Sequence, residues 1–588
     1  MPLKKYGELL ATYLGTQWPR VALLTALLFG SIGLQLVNPQ VIRYFIDTAQ
    51  SRGSPLRAQS LLMAAVLFIA IALVSQAAKL ATNYAVASIG WTATNALRAD
   101  LTLHCLRLDM PFHKQHTPGA LIERIDGDVT ALANFFSQFT IRVMGNALLV
   151  VGILALLFRE DVRVGAGLTL YVVATLAILG AMQRYAIPRW AAGRQASAEL
   201  FGFMEERISG TEDIRASGAE PYVMNRLYRL MRAWLEKRRA AIVLSVLVAN
   251  MTNLLYVIGY AIGLALGVYL YTQGAATIGT AYVIVYYIGR LSAPVQNIRG
   301  EVQDLQQATA SIQRINELIE LSPQVQDKPG RPDLQVALTG PLSVELQKVS
   351  FGYEDNGNVL EDVSFQLRPG KVLGVLGRTG SGKTTITRLL FRLYDPVSGV
   401  IRLNGVDIRD IALAELRERV GMVTQDVQLF HATVRDNLAF FDRRIGDAQI
   451  ESVLQELGLW DWFQSRPAKR GLDTELAASG QGLSAGEAQL LAFTRVFLKN
   501  PGLVILDEAS SRLDPATETL LERAVGQLLK NRTGIVIAHR LRTVQRAADI
   551  LILENGRVVE YGSREGLAHD PNSRFYSLLQ TGLEEVLA

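Results

Sequence analysis

The stretch that decides the fold is Gly377-Arg378-Thr379-Gly380-Ser381-Gly382-Lys383-Thr384-Thr385, which has the spacing G-x-x-x-x-G-K-[ST] of a phosphate-binding loop. The apolar run at 372–376 predicts a buried strand before it, and the run at 386–393 predicts a helix after it. Glycines let such a loop curl so that its N–H groups face phosphate oxygens, and the helix N-terminus adds partial positive charge. A glycine-rich turn without a ligand is the alternative, and the flanking strand and helix disfavour it.

Two side chains of this loop carry chemistry. Lys383 is placed to reach the β- and γ-phosphates of a nucleoside triphosphate, and the Thr384 hydroxyl is placed to bind Mg2+. We therefore expect a nucleotide and Mg2+ as cofactors. The process that the nucleotide drives must be inferred from the rest of the chain.

The chain is too long and too apolar for a single soluble domain. It has 588 residues, of which 49% are hydrophobic and only 19% charged, and its mean hydropathy is +0.21. The apolar residues concentrate before about Leu321, which indicates a membrane half followed by a soluble half. The net charge of +5 is small for this length and fits basic cytoplasmic faces of a membrane protein better than a nucleic-acid-binding protein. Cys105 is the single cysteine, so no intrachain disulfide can form.

Six apolar segments are predicted to be membrane spans, because most are long enough as helices to cross a hydrocarbon core of about 30 Å. They are 21–44, 60–81, 135–158, 164–185, 244–271 and 278–291, the last being less apolar. The connections after the second and fourth spans are long and rich in arginine, which places them and both termini in the cytoplasm. Their helical spacing predicts stalks, with breaks at Pro111 and Gly210 that suit a short transverse helix touching a cytoplasmic domain. Polar loops are the alternative.

A polar linker containing several prolines occupies 321–341. After it, strand-like and helix-like runs alternate, which predicts an α/β domain with a largely parallel sheet. The expected organisation is an all-α transmembrane domain of six helices with long cytoplasmic extensions (1–320), the linker, and an α/β P-loop nucleotide-binding domain (342–588).

Two further motifs in the second half point to the same chemistry. The apolar run 503–506 predicts a buried strand that ends in Asp507 and Glu508, which are placed to engage Mg2+ and to polarise an attacking water. Ser484 and Gly486 open a helical run and form a second anion-binding helix N-terminus. An ordinary helix cap, or acids that only aid solubility, are the alternatives.

The order of these motifs resembles that of ABC exporter half-transporters over essentially the full length of the chain. In the second half the series is Tyr353 after the strand ending at Phe351, the loop 377–385, Gln425, the signature segment 483–489, Asp507-Glu508, Asp514 and His539. In the membrane half, Pro111-Phe112, 119–124, 126–128 and Pro294 are also similar to that family.

The resemblance implies a role for each position, with ATP as the nucleotide. The catalytic residues would be Lys383, Gln425, Glu508 and His539, and the Mg2+ ligands would be Thr384, Gln425 and Asp507. Tyr353 would stack on adenine, and Asp514 would organise a dimer interface. Ser484 and Gly486 would close over the γ-phosphate held by the opposite subunit. Two such domains would sandwich two ATP molecules, while two sets of six helices alternate between inward-facing and outward-facing states.

The signature segment departs from the family pattern. The usual sequence is Leu-Ser-Gly-Gly-Gln, and this chain has Leu483-Ser484-Ala485-Gly486-Glu487. Ala485 adds a methyl group where backbone approaches phosphate, and Glu487 adds a negative charge near the partner's nucleotide. Because Glu508 and His539 are intact, we expect a heterodimer in which the altered signature faces a weaker ATP site. A homodimer that tolerates the altered signature is the alternative.

The predicted function is ATP-driven export of an amphipathic or hydrophobic substrate, such as a drug or lipid, across the cytoplasmic membrane. A membrane protein that binds ATP for regulation without hydrolysing it is one alternative, against which the intact Glu508 argues. The last two spans contain aromatic residues that would either line a substrate cavity or serve helix packing, namely Tyr256, Tyr260, Tyr282, Tyr286 and Tyr287. The expected partners are a second half-transporter, the lipid bilayer and a small substrate, with no nucleic acid.

Overall fold

The chain divides into two compact units, one within residues 1–107 and 117–321 and the other within 108–116 and 322–588. A computed structural model describes residues 11–50, 57–138, 143–328, 339–353, 357–424, 427–464, 471–477, 483–507, 515–537 and 544–581. The short segment 108–116 therefore belongs with the second unit, although it follows the second predicted span in sequence.

Long helices build the first half of the chain. In order they are α1 (Trp18–Gln50), α2 (Arg57–Arg107), α3 (Met110–Gln115), α4 (Pro118–Ile122), a π-helical turn (Glu123–Asp128), α5 (Val129–Gln138), α6 (Asn146–Glu160), α7 (Val162–Ser209), α8 (Thr211–Ala216), α9 (Glu220–Thr272) and α10 (Ile278–Glu320). Within the described residues, five helices are long and apolar enough to cross a membrane, and Ile278–Leu291 at the start of α10 is a shorter apolar segment. Five of the six predicted spans lie within single helices. The third, 135–158, begins in α5 and continues into α6, and its residues 139–142 lie outside the described residues.

The predicted stalks and short helices are present. Helices α2 and α7 run for 51 and 48 residues, far more than the roughly 20 that a bilayer requires. Each is followed by a six-residue helix, α3 and α8 respectively. Pro111 lies in the first turn of α3 and Gly210 separates α7 from α8, so the chain breaks at these two residues. The alternative of polar loops is wrong.

A buried carboxylate joins two segments of the first unit that are distant in sequence. Asp128 ends the π-helical turn, and its side chain is only 4% exposed. It accepts hydrogen bonds from Ser311 Oγ at 2.9 Å and from Arg314 Nε at 2.8 Å, both on α10. Two residues earlier, Asp126 pairs with Arg98 at 3.0 Å, but its side chain is 67% exposed. Burial makes the first pairing important for stability, because a buried charge that loses its partner is costly, whereas exposed pairs contribute little.

The second unit is an α/β domain. Its strands are β1 (Val344–Phe351), β2 (Leu360–Leu367), β3 (Val372–Leu376), β4 (Ser398–Leu403), β5 (Val406–Asp407), β6 (Val420–Val423), β7 (Ala432–Thr433), β8 (Glu475–Leu476), β9 (Leu503–Asp507), β10 (Thr533–Ile537), β11 (Asp549–Glu554) and β12 (Arg557–Ser563). Its helices are α11 (Lys383–Leu390), α12 (Leu413–Arg419), α13 (Val434–Ala439), α14 (Asp447–Glu456), α15 (Trp460–Gln464), α16 (Ala485–Lys499), α17 (Pro515–Leu529), α18 (Arg564–His569) and α19 (Arg574–Thr581).

Three sheets form from these strands. The largest has the order β12-β11-β3-β10-β9-β6, with all neighbours parallel except β12 against β11. An antiparallel sheet has the order β2-β1-β4-β5, and β7 pairs with β8. Every residue of β9 and β10 is buried, as expected for parallel strands covered on both faces. The predicted strand at 372–376 is confirmed as β3, and α11 begins three residues earlier than predicted, at Lys383.

We expect Asp128→Ala to lower the stability of the purified protein by about 1–3 kcal/mol, because it leaves the buried Ser311 hydroxyl and the half-exposed Arg314 guanidinium without their carboxylate partner. The measurement is the thermal unfolding midpoint in detergent or nanodiscs. Asp126→Ala is the matched control and should cost less than about 0.5 kcal/mol. Equal shifts for the two variants would contradict the difference that burial assigns to them.

Candidate nucleotide-binding site

The strand register brings four strand ends to one edge of the large sheet. Ile537 of β10 lies opposite Val375 of β3 on one side and Asp507 of β9 on the other. Val423 of β6 lies opposite Leu506 of β9. The carboxyl ends of β3, β10, β9 and β6 are therefore side by side, and this is the edge at which open α/β sheets form their ligand sites.

Four predicted site residues follow these strand ends but lie outside the described residues: Gln425, Glu508, Asp514 and His539. Gln425 comes two residues after β6, Glu508 comes directly after β9, and His539 comes two residues after β10. The strands that precede three of them therefore end at the same edge as β3, the strand that precedes the phosphate loop. Their roles stay predictions.

At two positions of the phosphate loop, neighbouring atoms leave no space for a side chain, so glycine is required. Gly377 has a φ of +149° and Gly382 a φ of +101°, both in the region that favours glycine. A Cβ at Gly377 would lie 2.3 Å from the Leu553 carbonyl oxygen, and a Cβ at Gly382 would lie 2.5 Å from the Leu360 side chain. The loop therefore packs its bare backbone against the domain, which leaves no room for side chains at these two positions.

Buried polar groups of the loop fit a phosphate ligand. Lys383 begins α11, is 6% exposed, and donates hydrogen bonds to the carbonyl oxygens of Gly377 at 2.6 Å and Arg378 at 3.0 Å. Ser381 is 4% exposed, and its Oγ has no hydrogen-bond partner among the described residues. A buried polar atom without a partner costs free energy, and a phosphate oxygen is a group that would satisfy it.

The two threonines that follow Lys383 differ in their surroundings. Thr384 is exposed, whereas Thr385 is buried and its Oγ1 lies 3.3 Å from the Tyr353 hydroxyl. Asp507 ends β9 and is 8% exposed. The Thr384 hydroxyl and the Asp507 carboxylate supply the hard oxygen ligands that Mg2+ prefers, so the residues present fit that ion.

The Tyr353 ring is fixed by its neighbours. Phe351 and Tyr394 contact it edge-on, with ring centroids 5.0 and 5.2 Å away. Its hydroxyl accepts a hydrogen bond from Arg388 Nη1 at 3.1 Å. Tyr353 thus joins the strand-rich part of the domain to α11, the helix that begins at the phosphate loop.

The signature segment forms a capping box at the start of α16. Ser484 is the N-cap residue, and its Oγ accepts a hydrogen bond from the Glu487 N–H at 3.2 Å. In return, Glu487 Oε2 accepts one from the Ser484 N–H at 2.8 Å. Ala485 is exposed and Gly486 is buried. The departure at Glu487 therefore has a local structural role that the sequence interpretation missed, although the pattern Ser-x-x-Glu signals it.

Comparisons with known proteins agree with this architecture. Residues 21–295 match the family model described as the ABC transporter transmembrane region, and residues 360–511 match the family model described as ABC transporter. The chain is 31% identical over 561 residues to the ATP-dependent lipid A-core flippase of Pseudomonas fluorescens, covering 93% of this chain and 91% of that protein. It is 31% identical over 472 residues to the fatty acid ABC transporter ATP-binding/permease protein of Mycobacterium bovis, covering 80% and 74%. The structure of a bacterial Atm1-family ABC exporter with ATP bound matches with a TM-score of 0.78 and 24% identity, over 96% of this chain and 98% of that one.

The fold and the site define a membrane protein that carries a P-loop ATP-binding domain on the same chain. With both halves matched, the chain belongs to the ABC transporter family, as an exporter half-transporter. It is a multi-pass membrane protein that binds ATP and couples ATP hydrolysis to transport. Its half-transporter architecture implies pairing with a second half-transporter.

We expect Gly377→Ala to weaken ATP binding by more than about tenfold, because the new methyl group meets the Leu553 carbonyl oxygen and must displace the loop. Gly370→Ala is the control: its φ of +72° also disfavours an L side chain, but nothing lies within 4 Å of its Cβ. Gly370→Ala should lower thermal stability by about 1–2 kcal/mol and leave ATP affinity within twofold. Equal losses of affinity in titrations of the two variants would contradict the steric argument.

Proposed function

We propose that this chain is one half of a heterodimeric exporter that uses ATP and Mg2+ to move an amphipathic or hydrophobic substrate across the cytoplasmic membrane by alternating access. The observation that carries the proposal is the register that ends β3, β10, β9 and β6 at one edge, on the same chain as the apolar helices. The proposed domains are 1–320 in the membrane, the linker 321–341, and 342–588 for nucleotide binding. Both termini and the nucleotide-binding domain face the cytoplasm.

In the proposed ATP site, the residues that follow the strand ends bind phosphate, bind Mg2+ or activate water. Lys383 exchanges its two carbonyl partners for oxygens of the β- and γ-phosphates, so its buried ammonium keeps hydrogen-bond partners throughout. Thr384, Gln425 and Asp507 hold Mg2+, which neutralises charge on those phosphates when bound. Glu508 orients and polarises the attacking water, at the end of the strand next to β10.

The remaining residues bind the base, contact the γ-phosphate or serve the interface with the partner subunit. Tyr353 stacks on adenine, and the contacts from Phe351, Tyr394 and Arg388 hold its ring ready. His539 contacts the γ-phosphate. Asp514 organises the interface with the partner subunit, and Ser484 and Gly486 reach the partner's nucleotide.

A hydrophobic or amphipathic substrate is favoured by the relatives and by the membrane helices. Two relatives are named for lipid A-core and for fatty acid transport. Of the five tyrosines in the last two spans, Tyr287 serves packing: it is 1% exposed and its hydroxyl donates to the Leu36 carbonyl at 2.7 Å. Tyr282 is 39% exposed and is available for a ligand of mixed polarity.

The heterodimer is favoured by the charge at Glu487. Its carboxylate accepts the Ser484 N–H at the N-terminus of α16, where the proposed function brings the partner's γ-phosphate. Two negative groups at one helix N-terminus repel each other in a site shielded from water. An ATP site that faces this signature is thereby weaker than a site that faces an uncharged one.

We expect the chain purified alone in nanodiscs to show little ATPase activity and to gain it when co-expressed with a second half-transporter. In the active assembly, Glu508→Gln should lower the hydrolysis rate by at least about 100-fold, because the polarising carboxylate is lost. Glu451→Gln, an exposed carboxylate on α14, is the control and should leave the rate unchanged.

Three results would change the proposal. A stable homodimer with robust, Glu508-dependent turnover would show that the heterodimer is wrong and that the altered signature is tolerated. Full activity of Glu508→Gln would remove the catalytic assignment. Inactivity with every partner tried would favour a membrane protein that binds ATP for regulation.

We expect Glu487→Gln to raise the apparent ATP affinity of the assembled transporter by about fivefold at low salt, because it removes the charge. Glutamine preserves the capping box, so the helix start is retained. The measurement is the ATP concentration that gives half-maximal hydrolysis, with Glu451→Gln as the matched loss of one carboxylate. A change below twofold would mean that the helix N-terminus already neutralises the Glu487 carboxylate.

A further inference from the structure

The segment that follows the second membrane helix is attached to the nucleotide-binding unit. Asp109 precedes α3, and its carboxylate accepts hydrogen bonds from the backbone N–H groups of Gln324 and Val325, the latter at 3.3 Å. All three residues belong to the second unit, although Asp109 comes from the first long connection of the membrane half. The attachment fixes the start of α3 relative to the domain that carries the phosphate loop.

From this position α3 reaches the Tyr353 ring. The Lys114 ammonium nitrogen lies 4.5 Å from the centroid of that ring, within the range of a cation–π interaction. Arg388 binds the hydroxyl of the same ring at 3.1 Å, and Thr385 Oγ1 lies 3.3 Å from that hydroxyl. Lys114 thus brings a charge from the first long connection of the membrane half into contact with this part of the candidate nucleotide site.

A positive charge over one face of an aromatic ring has a consequence for its other face. The charge is attracted to the π electrons and draws them towards itself, which leaves the opposite face less negative. A less negative face stacks more favourably on an electron-rich purine, because repulsion between the two π systems is reduced. The ring is also held against rotation, so less conformational entropy is lost when a base stacks on it.

We propose that Lys114 is a positioning residue for the base of the bound nucleotide: its ammonium covers one face of Tyr353 and prepares the other face for adenine. This inference rests on the proposed role of Tyr353. It assigns to α3 a task in base recognition, separate from the phosphate chemistry of the loop.

The test compares a ligand that has a base with one that lacks it, in the full-length transporter assembled in nanodiscs. Dissociation constants are measured by calorimetry, with Mg2+, for the non-hydrolysable ATP analogue adenylyl imidodiphosphate and for inorganic tripolyphosphate. Lys114→Met removes the charge at similar length, and Lys114→Arg keeps a cation. Lys530→Met, an exposed lysine just after α17, is the matched loss of one charge in the same unit.

We expect Lys114→Met to weaken binding of the analogue about threefold to tenfold and to change tripolyphosphate binding by less than twofold. Lys114→Arg should restore the affinity, and Lys530→Met should leave it unchanged. In a Tyr353→Ala background, Lys114→Met should have no further effect, because the ring through which it acts is gone. Equal weakening for both ligands, or no weakening for either, would overturn the inference.

A chemical readout tests whether the Lys114 amine responds to a base stacked on Tyr353. Methylation of the Lys114 amine, followed by mass spectrometry, should slow when the analogue is bound and stay unchanged with tripolyphosphate. An unchanged rate with the analogue would overturn the positioning role of Lys114.

The variant Tyr353→Ala distinguishes an error in the proposed role of Tyr353 from an error in the inference about Lys114. If Tyr353→Ala leaves the affinity for the analogue unchanged, the adenine-stacking role of Tyr353 is wrong, and the Lys114 inference falls with it. If Tyr353→Ala weakens binding and Lys114→Met does not, only the inference about Lys114 is wrong.

Discussion

The parallel register of β6, β9, β10 and β3 is the constraint on which the chemistry of the second unit depends. These strands are buried on both faces, so their interiors carry apolar side chains and polar groups concentrate where they end. Because the register aligns the four ends, Asp507 and the phosphate loop start from the same edge. A slip of one residue would turn each strand's side chains to the opposite face and break this alignment.

The path of the phosphate loop is fixed by close packing of its backbone against a neighbouring strand. Leu553, at the end region of β11, presents its carbonyl oxygen where a Cβ on Gly377 would stand, so the neighbouring strand itself fixes the path of the loop. Lys383 then bridges the loop from inside by bonding the Gly377 and Arg378 carbonyls. When a phosphate binds, such a lysine can replace its hydrogen bonds to carbonyl oxygens by hydrogen bonds to phosphate oxygens. The free-energy cost of breaking the first set is then offset by the second.

Strong local patterns explain what the sequence predicted well. The apolar runs before the phosphate loop and before Asp507 specify β3 and β9, because a short run bounded by turn residues leaves few alternatives. The stalk helices followed from helical spacing with few breakers before Pro111 and Gly210, and Pro188 lies inside α7 without ending it. The grouping of 108–116 with the second unit, and the meeting of Lys114 with Tyr353, depend on contacts between residues far apart in sequence, which no local pattern encodes.

Glu487 shows why a departure from a family pattern needs both a local and a distant explanation. Read from the sequence, its charge concerns only the partner's nucleotide. Locally, the same carboxylate caps α16 and offsets the partial positive charge of the helix N-terminus. Each effect is of the order of 1 kcal/mol, so neither can be neglected beside the other. In the proposed dimer, the phosphate that approaches this helix would meet donors that already serve an internal anion. A difference between two ATP sites then requires no change in the phosphate loop, since one side chain at the opposing helix is enough to produce it.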